Sequence, residues 1–290
     1  MLLCSMSVGC GQASGESCSL DTDCASGFCR ADGTCGPAPV DGPLQADASG
    51  DAPPSALCTP NHDGSITLDE LPFVAGRMGT FRVTTDATWD TAGTSSTNGA
   101  RAWDLSVPLA GDGDRVLKLI GPSGQWWAST FPSTTYATEL SIEVDLRGVF
   151  EASSASLVLL GVVSPDGGTY KTELEYDPPA KVLALPLTAG ATWSSTSTVS
   201  GYAQGAIVAY TEKYESRVDQ VGTMKTPYGE FPVLRVATDL TRTSGVATVL
   251  KKRSFSWIAE CFGPIANASS QDFESGAEFT DNAEIRRLAP

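Results

Sequence analysis

"IVAYTEKYESRVDQV", residues 207–221, decides the fold class. Its period is two: Val208, Tyr210, Tyr214 and Val218 fall on one side, and Lys213, Glu215, Arg217 and Asp219 on the other. A strand sends successive side chains to opposite faces, so the pattern predicts a half-buried antiparallel strand; a helix would place its apolar residues three or four apart. "ELSIEVDLRG", residues 139–148, reads the same way, with Leu140, Ile142, Val144 and Leu146 set against Ser141, Glu143, Asp145 and Arg147. "ASLVLLGVVSPDGGTYKTELEY" reads as a hairpin turning through Pro165-Asp166-Gly167-Gly168. Further strands are expected near 182–187, 231–238 and 246–262, with Gly, Pro, Asn and Ser clusters between them. The spacing therefore predicts an all-β domain over residues 77–290, either an antiparallel β-sandwich or a strongly curled open barrel.

The whole chain has 290 residues, 41% of them hydrophobic, which is enough for a real core. Its formal net charge is -15. A surface so acidic repels nucleic-acid phosphates and anionic headgroups, so no nucleic-acid partner is expected. No apolar run reaches the roughly 18 residues a membrane-spanning helix needs, so attachment to a membrane requires another device.

That device is expected at the amino terminus. "MLLCSMSVGC" has the apolar character of an export signal's end without its basic start, so the true start is expected upstream. Val8, Gly9 and Cys10 resemble a bacterial lipobox, although Ser7 stands where Leu is preferred. The resemblance implies a signal/lipobox segment over 1–17 and acylation of Cys10. Each buried CH₂ of an acyl chain contributes about 0.8 kcal/mol, so two or three chains hold a protein on a bilayer. Gly11 follows instead of Asp, which in such lipoproteins implies no inner-membrane retention. The expected location is the outer membrane or cell surface, with the periplasmic side left open.

Eight cysteines are present. Cys4 falls in the discarded segment and Cys10 carries lipid, which leaves an even number, as an oxidising compartment requires. Cys18, Cys24, Cys29 and Cys35 crowd into residues 18–35 with only Leu20 and Phe28 as large apolar neighbours. Such a segment needs crosslinks. Zinc competes for four cysteines, but the close C-x2-C knuckles of zinc sites are missing. Three pairings are open, the interlaced Cys18–Cys29 and Cys24–Cys35 being preferred. The module resembles cysteine-rich segments behind the lipobox in surface lipoproteins of myxobacteria-like Gram-negative bacteria. Cys58 and Cys261 remain for each other, tying the two ends of the globular region. Residues 36–57, rich in Pro, Gly, Ala and Asp, are expected to form a disordered linker.

"TPNHDGSITLDE" follows at once, over residues 59–70 within a segment bounded at 58–76. It is similar to the twelve-residue EF-hand loop, whose ligands come from positions 1, 3, 5, 7, 9 and 12, with Gly at 6. On that resemblance Thr59, Asn61, Asp63, Ser65, Thr67 and Glu70 would ligate Ca²⁺, Gly64 makes the turn and Ile66 is the apolar eighth residue. Thr59 replaces the usual Asp and only Asp63 and Glu70 bring charge, so the expected site is weak, at about 10⁻⁴–10⁻³ M. A turn that keeps the shape without metal is the competing reading.

His62 is the one histidine and is read as a loop residue. A Ser-His-Asp triad therefore lacks its base, and H-E-x-x-H, P-loop and dinucleotide fingerprints are absent from the sequence. A glycosidase, which needs only two carboxylates, stays open. Trp126 and Trp127, in "GPSGQWWAST", are a possible binding platform, with packing at a sheet edge as the alternative. In "KKRSFSW", Lys251, Arg253, Phe255 and Trp257 share one side and Lys252 the other, read as basic residues balancing acidic neighbours. The segment with Gly222, Pro227, Tyr228, Gly229 and Val233-Leu234-Arg235-Val236 resembles uncharacterised β-rich envelope proteins of Gram-negative bacteria. Some of those relatives form open half-barrels like those of lipoprotein carriers, which implies envelope location and a curled fold. The expected function is a non-enzymatic cell-envelope lipoprotein whose β domain binds a partner or serves a structural role. The alternatives are a carrier of an apolar ligand and a carbohydrate-binding or carbohydrate-active protein.

Overall fold

The computed structural model describes residues 58–95 and 100–290. The lipobox with Cys10, the module at 18–35 and the linker at 36–57 lie outside the described residues.

The described chain is built of strands: β1 (Ser65–Ile66), β2 (Met78–Thr88), β3 (Thr94–Ser95), β4 (Arg101–Asp104), β5 (Gly113–Lys118), β6 (Tyr136–Glu139), β7 (Arg147–Ser153), β8 (Ser156–Val163), β9 (Glu173–Ala184), β10 (Leu187–Thr188), β11 (Thr192–Ala203), β12 (Ala206–Lys225), β13 (Glu230–Ser244), β14 (Ala247–Ala259), β15 (Gly263–Ser270) and β16 (Asp281–Leu288). Twelve of them run in one antiparallel sheet in the order β5-β2-β16-β15-β14-β13-β12-β11-β9-β8-β7-β6. The two edges meet: just beyond β5, Ile120 exchanges both backbone hydrogen bonds with Ala137 of β6, each 2.8 Å long. The sheet is thus a nearly closed, curled barrel, one of the two architectures the alternation allows.

One packed cluster occupies the apolar part of the concave side, where Tyr136, Phe150, Tyr176, Val199, Val218, Val236 and Ile258 meet Ile66, Leu71 and Phe73. A second lies outside β13–β16 and centres on Trp103, Trp257 and Phe255. A third lies outside β6–β8 around Trp127 and Phe131. The two outer clusters need covers, and the long connections supply them. β4 runs parallel to the end of β12, beside the place β11 has left. Gly222 permits this approach, because a Cβ there would stand 1.9 Å from the Arg101 carbonyl oxygen.

Two expectations are corrected. Residues 140–146 are a turn between β6 and β7, not part of one strand. Leu146 N–H donates to Val144 O at 2.8 Å, and Leu140 and Val144 are exposed. The cause is tertiary: Glu284 of β16 accepts from Ser141 Oγ at 2.8 Å and from Ile142 N–H at 2.9 Å, drawing the chain out of the sheet. The segment at 58–76 is also no separate module. Its β1 pairs with β10, and Ile66, Leu71 and Phe73 enter the concave core.

Candidate functional site

Side chains on registered neighbours share a face, so the concave surface can be read strand by strand. One row runs Trp193, Ser216, Thr238, Ser254, Ser269, Glu284 and Thr85, from β11 across to β2. The next row runs Val218, Val236, Ser256, Asn267, Arg286 and Val83. The concave side is therefore divided. The part under β7–β9 and the start of β13 is apolar and occupied by the plug from residues 66–73. The part under β12–β16 carries hydroxyls, an amide and an ion pair.

Several members of this polar stripe satisfy one another. Ser216 and Thr238 hydroxyls lie 2.9 Å apart. Arg286 Nε donates to Glu284, and its Nη1 donates to the Glu139 carbonyl at 3.1 Å. Others do not. Ser254, Ser256, Asn267 and Ser269 are half-buried, and among the described residues their side chains make no hydrogen bond within the chain. Among the described residues, three groups on this side are buried without a hydrogen-bond partner: Arg286 Nη2, Trp193 Nε1 and Ser197 Oγ. A buried donor without an acceptor costs about 1–3 kcal/mol, so such groups call for water or ligand oxygen.

Beside the stripe sits a tyrosine–carboxylate cluster. Glu212 is 1% exposed and accepts from Tyr214 Oη at 2.6 Å and from Arg242 Nε at 2.8 Å. The Arg242 guanidinium lies 4.5 Å over the Tyr210 ring. Burial, then Tyr176 and Glu212, push the Tyr214 hydroxyl well above the ordinary range. Tyr176 is raised by burial and then by Glu212. Burial alone would lower Arg242, but Glu212 outweighs it and holds the guanidinium above its ordinary value. The pair is a neutral internal brace.

Two other buried arginines hold the outer covers. Arg235 binds Asp219, Glu278 and the Thr91 carbonyl, between the Trp103 and Phe255 rings. Arg287 donates to the carbonyls of Leu105 and Val107 and to Asp112. Near the first, two shallow surface depressions of about 290 and 310 Å³ are lined by Asp90, Glu274, Glu278 and Asp281 and by Asp86, Gln271 and Asn282. The first is lined mostly by the loop before β16, and the second by the ends of β2 and β16 with Gln271.

The residues picked out in the sequence fall as follows. Cys58 and Cys261 are bonded, with Cα atoms 5.4 Å apart. Asn61, Asp63 and Glu70 converge, but on one another. Glu70 accepts from Asn61 Nδ2 at 2.6 Å and from Thr67 N–H at 2.8 Å, Asn61 accepts from Asp63 N–H, and Asp63 from Ser65 N–H. Thr67 and Glu70 make a capping box on the short 3₁₀ turn Leu68–Glu70. His62 lies at the loop surface, its N–H donating to Glu260. Trp127 is fully buried in the third cluster; Trp126 is half-buried against it, donates to Ser164 O and has Lys171 4.8 Å over its ring. Lys252 and Arg253 pair with Asp272 and Asp239, as balancing charges. The sequence carries one signal for the concave stripe, the parity of Ser254 and Ser256 opposite to Phe255 and Trp257.

No family model and no curated protein matches the chain. One solved structure is similar, a candidate exported protein with a YmcC-like fold from Bacteroides fragilis, at 12% identity and a TM-score of 0.35, covering 74% of this chain and 96% of that one. A likeness at that level adds nothing to the reading of fold or site.

Proposed function

We propose that this chain is an exported, non-enzymatic cell-envelope lipoprotein, held at the outer membrane through Cys10, whose curled β domain binds a ligand on its concave face. The observation that carries the binding role is the pair of adjacent half-open rows that hold Ser254 and Ser269, and Ser256 and Asn267, polar groups without a side-chain partner among the described residues. Export is supported by the Cys58–Cys261 bond, since such crosslinks persist in oxidising compartments. A polar ligand is favoured over an apolar cargo, because the apolar part of the concave face is already filled by Ile66, Leu71 and Phe73.

Calcium has a minor part in this reading. Asp63 and Glu70 bring two carboxylates, with Asn61, Thr59, Ser65 and Thr67 as neutral oxygen donors, and among the described residues no group of three acidic, His or Cys side chains is gathered. Glu70 already spends both oxygens on the loop. Such a set suits weak, millimolar stabilisation.

The test is expression with an intact export signal in a Gram-negative host. Mass spectrometry of the membrane fraction should find acylated Cys10, and alkylation should find no free thiol at Cys58 or Cys261. Soluble, unacylated protein with reduced thiols would overturn the reading.

A further inference from the structure

We infer that the concave face binds a neutral carbohydrate chain, laid across β12–β16 on the hydroxyl row. The inference rests on the binding role proposed above and names the ligand class. The first support is the chemistry of the half-buried groups that have no side-chain partner among the described residues. Ser254, Ser256 and Ser269 hydroxyls each donate and accept, and so does the Asn267 amide. The ligand that answers both roles at every position is itself an alcohol. A peptide strand would instead seek backbone partners along a sheet edge, and these groups stand on a sheet face.

Spacing is the second support. Neighbouring strands lie about 4.8 Å apart, so the row from β12 to β16 presents hydrogen-bonding groups over about 19 Å in one direction. That is an elongated, repetitive surface, suited to an oligomer and not to one compact molecule. Charge is the third. Glu284 is paired with Arg286, and Glu212 with Arg242, so the formal charges here are matched within the chain. No net ionic group is needed from the ligand. At one end, Trp193 stands in the same row as Ser216 with its indole N–H buried and without a partner. An aromatic ring next to a row of hydroxyls is the combination that takes the apolar face and the polar rim of a sugar ring together.

The experiment titrates the full-length, detergent-solubilised protein with maltohexaose, cellohexaose and chitohexaose. Binding is followed by calorimetry and by tryptophan fluorescence. At least one oligosaccharide should saturate at millimolar concentration or below. Ser254→Ala/Ser269→Ala should weaken it about tenfold while leaving the melting temperature unchanged, since neither side chain has an intrachain partner. Trp193→Phe should reduce the fluorescence change on binding. Saturation by none of the three sugars, or equal binding by the serine variant, overturns the inference. Saturable uptake of 1-N-phenylnaphthylamine in place of sugar would overturn the polar-ligand reading as well. Failure of the sugars alone leaves that reading standing and removes the carbohydrate.

Discussion

Arg235 Nη2 stands 2.6 Å from Glu278 Oε1, and this contact joins the middle of β13 to a loop more than forty residues further along the chain. The same guanidinium takes Asp219 at 2.7 Å, and its side chain is 1% exposed. Burial works against its charge; Glu278 and Asp219 more than reverse that, and its pKa stands above the ordinary arginine value. Arg235→Met should destabilise the domain by about 3–5 kcal/mol, because it strands two carboxylates beside the Trp103 and Phe255 rings. Urea unfolding measures this. A loss under about 1 kcal/mol would mean that the loop does not depend on the arginine.

The Cys58–Cys261 bond spans 203 residues. The chain-entropy model gives about 5 kcal/mol for a loop of this length, as an upper figure. Cys58→Ala/Cys261→Ala should lower the urea midpoint substantially and leave the m-value equal or larger, since the unlinked unfolded chain exposes more surface. The same protein studied with and without reductant should show the same displacement. Equal midpoints would show that the loop at 58–73 docks without its bond.

Glu70→Ala removes the acceptor for Asn61 Nδ2, Thr67 N–H and Thr67 Oγ1 together. The expected cost is about 1 kcal/mol, as for the loss of a capping group. Calcium should raise the melting temperature of the parent only at millimolar levels, and that of the variant not at all. Micromolar affinity by calorimetry would make the loop a true cation site and the hydrogen-bonded form its apo state.

Tyr136, Tyr176 and Tyr214 are all raised above the ordinary phenol value, by burial first. A raised folded pKa gives stability that is complete below the unfolded value, near 10, and is lost as pH climbs through the folded one. The urea midpoint should therefore fall progressively above about pH 10. Absorbance at the phenolate band should show these three hydroxyls ionising only as the protein unfolds. Early, reversible ionisation of all seven tyrosines without loss of fold would contradict the burial described.

The strands and their faces were legible wherever the strands were long, while the choice between sandwich and curled barrel was not. In 207–221 the alternation gave β12 its faces correctly, and parity alone puts Glu212 and Ser216 on the side of Tyr210 and Tyr214. A charged residue between two tyrosines reads as a break in the pattern, and it was the cross-strand partner Arg242 that made the position tolerable. The run 139–148 shows the reverse error. Its alternation is as clean as that of β12, yet a carboxylate on β16, far along the chain, withdraws it from the sheet. The polar stripe lay hidden for a related reason: each strand contributes one or two small polar residues, and only the registers of five strands assemble them.

Closure of the sheet rests on one reciprocal pair of peptide contacts, between Ile120 and Ala137, helped by the buckle of Glu284 and Arg286 against residues 139–142. Two such contacts contribute about 2 kcal/mol, far less than the zippered ladders elsewhere. The circumference can therefore yield at this seam while every other strand stays paired. Glu284 is the neighbour of Ser269 and Arg286 the neighbour of Asn267 across β15 and β16, so the clasp and the polar stripe share side chains, and a substitution at either carboxylate or guanidinium disturbs the seam and the stripe together.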